Sequence, residues 1–135
     1  MNPMRVVGLG VDIVEIARID GVIERQGQAF LDRIFSAAEQ AYCRPHRHAA
    51  RCYAARFAAK EAVAKAFGTG IGAQLGWLDM ELRRRTTGEP FVVLHGTGAE
   101  TARQRGIAEI LVSLSHSEHY AVANAIALAN SEPGT

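Results

Sequence analysis

The chain has 135 residues, 48% hydrophobic and 21% charged, with a formal net charge of +1. That length suits one domain, and the balanced charge excludes binding of nucleic acid or membrane by bulk electrostatics. No run is long and apolar enough for a membrane span, and the first residues lack the apolar stretch of a signal peptide, so a cytoplasmic location is expected. In such a reducing compartment Cys43 and Cys52 are expected as free thiols.

In chain order, Arg5 to Leu9 is a short apolar run that predicts a buried strand. Ile16 to Gln26 has helical spacing, with Ile16, Ile19, Val22 and Ile23 on one face and Arg18 and Arg25 off it. Ser36 with Glu39 is a capping-box pair opening a short helix. Arg47 to Phe67 predicts the longest helix, stopped by Gly68. Leu78 to Arg84 and Phe91 to Leu94 predict strands around the turn Thr87-Gly88-Glu89-Pro90. Thr97 to Arg105 predicts a helix, and Ile110 to Ser115 and Tyr120 to Leu128 two further strands, the second flat and Ala-rich. The whole predicts an α+β fold, helices packed on a mainly antiparallel sheet, with a single domain over 1–129 and a flexible tail over 130–135.

Two places break the apolar patterning. Lys60, Glu61 and Lys65 interrupt the Ala- and Phe-rich helix, and Asp12 interrupts the run from Val6 to Val14. Charges in such settings want partners. The plain readings are a Glu61–Lys65 pair on the helix surface and Asp12 as a turn or cap residue. The functional reading joins Asp12 and Glu61 through a hard cation such as Mg²⁺, which takes one or two carboxylates and leaves the rest of its shell to water and substrate phosphates. Gly68-Thr69-Gly70-Ile71-Gly72 either ends the helix or lets backbone N–H groups approach a phosphate; it lacks Walker spacing.

Cys43, His46, His48 and Cys52 are the right residue types for zinc, but their spacing matches no standard finger, and a basic surface loop around Pro45 is the favoured reading. Ser115 and His116 are neighbours on an extended strand, so their side chains point to opposite faces and form no catalytic dyad. A strand-end turn or a cluster hydrogen-bonding a ligand remain open for them.

These segments together resemble a known family. Residues 8–19 (GLGVDIVEIARI) are similar to the N-terminal signature of the holo-acyl-carrier-protein synthases, and residues 56–71 (RFAAKEAVAKAFGTGI) to their most specific motif. Gly88-Glu89-Pro90 and Ser113-Leu114-Ser115-His116-Ser117 match two weaker motifs, and order, spacing and length fit across nearly the whole chain. These short 4′-phosphopantetheinyl transferases move phosphopantetheine from coenzyme A to a serine of apo-acyl carrier protein, releasing adenosine 3′,5′-bisphosphate, in fatty acid biosynthesis.

The resemblance implies Asp12 and Glu61 as Mg²⁺ ligands, and Lys65 on the phosphates as a catalytic cation. It implies Gly68, Ser115 and His116 lining the coenzyme A site, and Arg18, Val22 and Arg25 docking the acidic carrier. It also implies a homotrimer with active sites between subunits. Glu61, or a water held near the metal, is the leading acceptor of the serine proton, and Glu39 a weak second. The segment from Cys43 to Cys52 matches no motif of the family.

Overall fold

The computed structural model describes residues 3–131. It opens with strand β1 (Met4–Glu15), followed by helices α1 (Ile16–Gln26), α2 (Gln28–Ile34), α3 (Ala37–Cys43) and α4 (Ala49–Phe67). A 3₁₀ turn (Trp77–Asp79) leads into the hairpin of β2 (Met80–Arg84) and β3 (Pro90–Leu94). Helix α5 (Gly96–Gln104) and strands β4 (Ile107–His116) and β5 (Tyr120–Asn130) complete it. The class is α+β as expected, but the strands divide into two antiparallel sheets, β1-β5-β4 and β2-β3.

Most predicted elements fall where the patterning puts them, and the helix over Ile16–Gln26 matches to the residue. Strand β1 is longer than the five-residue run predicted, because Asp12 lies inside it rather than after it. Helix α2 lies where nothing was predicted. Strand β5 runs on to Asn130, and the Ser131 N–H donates to Pro3 O at 3.0 Å, so these two residues are not tail; residues 132–135 lie outside the described residues.

Helix α4 lies across the three-stranded sheet, and small residues let it come close. A Cβ on Gly8 would stand 1.8 Å from Ala66 O, and one on Gly10 would stand 1.8 Å from Ala62 O. On β5, Ala121, Ala123, Ala125, Ala127 and Ala129 turn inward and are all buried. The Ala-rich surface of β5 therefore serves packing against α4. The opposite face of the sheet carries Leu9, Val11 and Ile13 of β1, which are exposed, beside Val122, Asn124 and Ile126 of β5. Register places Leu9 against Ile126, Val11 against Asn124 and Ile13 against Val122.

Gly68 ends α4 at φ +81°, a left-handed conformation that favours glycine, as its position predicts. Ser36 and Glu39 form the reciprocal capping box at the start of α3, also as predicted. Glu39 then does more. It is 1% exposed, and its Oε1 accepts from Lys60 Nζ at 2.8 Å, while its Oε2 accepts from the Leu82 N–H at 2.9 Å. Lys60, 0% exposed, also donates to Ile34 O at 2.7 Å and Trp77 O at 3.1 Å. Burial pulls the Lys60 ammonium's pKa down and Glu39 opposes it. Glu39 is thereby committed to the fold and is withdrawn as a proton acceptor for catalysis.

Cys43 and Cys52 are not free thiols: they form a disulfide, separated by 9 residues and with Cα atoms 5.4 Å apart. It ties the end of α3 to the first turns of α4. A loop of this size gains about 3 kcal/mol from the crosslink in the chain-entropy model.

Removing one member of a buried ion pair leaves the other uncompensated, at about 3–5 kcal/mol. Glu39→Gln is therefore expected to lower unfolding free energy by about 3 kcal/mol in urea titration, whereas Glu100→Gln, on the solvated face of α5, stays within about 0.5 kcal/mol. Equal midpoints for the two variants would refute the structural role of the pair.

Candidate active site

Asp12 and Glu61 do come together. Asp12 is on the inward face of β1, and Glu61 is on the flank of α4 that overhangs this edge strand. Burial, and then the Asp12 carboxylate, push the Glu61 pKa above the usual carboxylate range, against the opposing pull of Lys65 and Arg18. Lys65 does not pair with Glu61 on the helix surface. Its ammonium donates to Asp12 Oδ1 at 3.1 Å and to Val11 O at 2.9 Å. The result is two carboxylates facing one lysine at the open edge of β1, with the exposed Arg18 of α1 nearby.

Among the described residues no cluster of three or more His, Cys, Asp or Glu side chains could hold a metal ion. Two carboxylates without a third side-chain ligand do not make a zinc site, but they suit a cation that keeps waters and takes substrate oxygens. The other zinc candidate is also gone, because the disulfide consumes Cys43 and Cys52.

Ser115 and His116 lie elsewhere. They end β4 and line a cavity of about 320 Å³ together with Tyr42, Arg47, Arg51, Cys52, Ala55, Arg56 and Arg84, and with His46 and His48 of the α3–α4 loop. Arginine and histidine crowd this lining, and no Asp or Glu is in it. Arg56 is 4% exposed; its Nη1 contacts Cys52 Sγ at 3.2 Å, and its Nε is buried without a hydrogen-bond partner. Its guanidinium stacks over the Tyr42 ring at 4.2 Å, and that of Arg84 at 5.7 Å. Such a concentration of positive charge, with Arg56 buried beneath the exposed Arg47 and Arg84, calls for a polyanion. From sequence, Arg56 with Arg44, Arg47 and Arg51, and Arg84 with Arg83 and Arg85, read as basic clusters on solvated faces or toward an acidic partner, and neither was assigned to the site. The signal was Arg56 itself, a charge opening the same apolar helix run that singled out Lys60.

The carboxylate pair and the cationic cavity do not meet within one chain. At 3.6 residues per turn, Glu61 stands opposite Cys52 around α4, and Lys65 opposite Arg56, each nine positions away. Asp12 pairs with Ala123, and Ala123 with Leu114 beside the cavity, so the two places are two strand spacings apart, roughly 10 Å, at opposite edges of the sheet. Gly68 lies outside the cavity, and Arg105 Nη1, which donates to Phe67 O, stands 3.7 Å from where its Cβ would be. On α1, Arg18 and Arg25 are exposed and Val22 is half-buried against the core.

Residues 8–125 match the model of the 4′-phosphopantetheinyl transferase superfamily. The chain is 49% identical over 127 residues to the holo-[acyl-carrier-protein] synthase of Desulforudis audaxviator, covering 94% of this chain and 96% of that protein. With the enzyme of the same name from Edwardsiella ictaluri it shares 46% over 124 residues, 92% of this chain and 98% of the other. The crystal structure of holo-[acyl-carrier-protein] synthase from Neisseria meningitidis superposes with a TM-score of 0.86 at 31% identity, over 91% of this chain and 98% of that one. That of the Helicobacter pylori synthase in complex with coenzyme A gives 0.79 at 32%, over 88% and 98%. The chain belongs to the 4′-phosphopantetheinyl transferase superfamily and, within it, to the holo-[acyl-carrier-protein] synthases.

The folded state holds a proton on Glu61 more tightly than the unfolded chain, so its contribution to stability falls as pH rises through the window above the ordinary glutamate value. In metal-free protein at neutral pH, Glu61→Gln is expected to raise the melting temperature by about 1–3 °C. The gain should vanish well below pH 4, where both chains are neutral at this position. A fall in melting temperature at neutral pH would show that Lys65 and Arg18 outweigh burial and Asp12.

Proposed function

We propose that this protein transfers 4′-phosphopantetheine from coenzyme A to a serine of apo-acyl carrier protein, giving holo-carrier and adenosine 3′,5′-bisphosphate, and that it serves fatty acid biosynthesis in the cytoplasm. The observation that carries the reading is the division of charge: a carboxylate pair with a lysine at one place, a purely cationic cavity at the other. The first suits a metal-bound pyrophosphate and the second the phosphates of a nucleotide.

In this reading Asp12 and Glu61 hold a divalent cation, Mg²⁺, whose chemistry when bound is Lewis-acid polarisation of the pyrophosphate. Lys65, already held by Asp12 and the Val11 carbonyl, presents positive charge where negative charge develops on the leaving nucleotide. Glu61, or a water held near the metal, is the leading acceptor for the serine proton, because both stand where the metal-bound pyrophosphate would meet the carrier serine. Arg56, Arg84, Ser115 and His116 bind the adenosine bisphosphate portion, and Gly68, outside that cavity at the end of α4, borders the coenzyme A beside Lys65. Arg18 and Arg25, exposed on α1, meet the acidic carrier, and Val22 adds an apolar contact.

We further propose a homotrimer. The separation of the two half-sites within one chain supports it, since a neighbour's cavity can then face the carboxylate pair. The exposed Leu9, Val11, Ile13 and Leu111 also support it, as an apolar sheet face that wants a covering.

The direct test is intact-mass analysis of apo-acyl carrier protein incubated with enzyme, coenzyme A and Mg²⁺. A phosphopantetheine gain abolished by EDTA is expected, and Asp12→Ala or Glu61→Ala should slow it by about 100-fold or more. Arg18→Ala should chiefly raise KM for the carrier. No gain with any carrier would sink the transferase reading, and full activity of either carboxylate variant would sink the metal assignment.

Oligomeric state has its own test. Ile126→Glu, on the outer face of β5, is expected to give monomers by sedimentation and to abolish transfer with the circular dichroism unchanged. A trimer that survives this substitution would move the interface elsewhere.

A further inference from the structure

The loop that supplies much of the cavity wall is held down by little besides the disulfide. Residues 44–48 run between Cys43 and Cys52 and bring His46, Arg47 and His48 to the cavity. Among the described residues none of the loop's side chains makes a hydrogen bond. Its ties are backbone bonds at its two ends, such as His46 N–H to Cys43 O at 3.1 Å and Arg51 N–H to His48 O at 3.0 Å, and a ring contact between Tyr42 and His46 at 5.0 Å. The bridge also fixes Cys52 Sγ, which Arg56 Nη1 contacts. One covalent bond thus constrains both the cationic wall and the buried arginine on the floor.

The bridge is reachable from one direction. Cys43 is 0% exposed, whereas Cys52 is 7% exposed and lines the cavity. Cys52 is therefore the half of the bridge that a small thiol in the cavity can approach, and a ligand bound there would block that approach.

We propose that Cys43 and Cys52 form a thiol–disulfide switch on the cationic cavity: bridged, the chain binds its nucleotide ligand tightly; reduced, it binds weakly; and bound ligand protects the bridge from reduction. This rests on reading the cavity as the coenzyme A site. The reductant is a low-molecular-weight thiol. Its thiolate attacks Cys52 Sγ, the protein S–S bond breaks, and the electron pair leaves on Cys43 Sγ, which takes a proton. A second thiolate attacks the outer sulfur of the mixed disulfide, releasing the small-molecule disulfide and the Cys52 thiolate beside Arg56. Two small thiols are oxidised, one protein disulfide is reduced, and two electrons pass. The Arg56 guanidinium favours that thiolate as leaving group.

The test uses adenosine 3′,5′-bisphosphate, which carries no thiol of its own, in titration calorimetry of the full chain. The bridged and the dithiothreitol-reduced protein are compared, their states fixed by counting alkylated thiols in the intact mass. The bridged form is expected to bind about tenfold tighter, a coupling of ordinary size. By reciprocity, saturating ligand should slow appearance of the two thiols. Cys43→Ser should bind like the reduced wild type in both conditions, with Cys43→Ala in its place if the serine variant does not fold. Equal affinity of two forms shown to differ by two thiols overturns the switch while leaving the coenzyme A site standing. A bridge that resists excess thiol with the cavity empty also overturns it. Absence of binding in both forms overturns the switch together with the reading of the cavity on which it rests.

Discussion

The buried contact between Lys60 and Glu39 is the constraint on which the other elements depend. An ammonium with no exposed surface has three hydrogens to place, and it places them on Ile34 O at the end of α2, on Trp77 O in the 3₁₀ turn and on Glu39. Glu39 spends its remaining capacity on the Ser36 N–H and the Leu82 N–H of β2. Five segments therefore meet at one pair of charges. Any displacement of α3, of the turn or of the hairpin exposes an unpaired acceptor in a place that water does not reach, at a cost too high for the fold to slide. Geometric specificity is the benefit; a hydrophobic pair of equal volume would bury as well but would accept many arrangements.

Around that point α4 is buried nearly on all sides, and this determines what the helix can offer chemically. Ala58, Ala59, Ala62 and Ala66 fill the approach to the sheet, and glycine at positions 8 and 10 removes the last obstacle. Only the flanks remain for polar work. One flank carries Glu61 and Lys65 over the edge of β1; the other carries Cys52 and Arg56 toward β4. The close contact with β1 also explains why Asp12 reaches Lys65: a helix held off by larger side chains would leave that carboxylate to solvent.

Much of this was legible in the chain because it depends on local pattern. The capping box, the Gly68 stop and the amphipathic α1 all follow from spacing within a few residues. The pairing of Asp12 with the α4 charges was also legible, since charges interrupting apolar runs demand compensation. What was not legible depends on distant partners. Glu39 reads as a cap residue from its own neighbourhood, and only the fold brings Lys60 and Leu82 to its other oxygens. Strand β1 was cut short because Asp12 looks like a terminus when the lysine that accommodates it lies far along the chain. Helix α2 carries few signals of its own beyond Phe30 and Ile34, which are buried. The cysteine pair was misread from the compartment expected for it, whereas proximity of the two side chains comes from the turn between α3 and α4.

The same geometry gives the divided site its logic. Within one chain, carboxylates placed among the arginines would neutralise them, and the cavity would lose the field that attracts a polyanion. Keeping α4 between the two leaves each charge set intact. On the proposed reading, the cost is that neither half is sufficient alone. In the proposed homotrimer the apolar outer sheet face would meet that need without any chain having to bury opposite charges against each other, and assembly would then complete the chemistry.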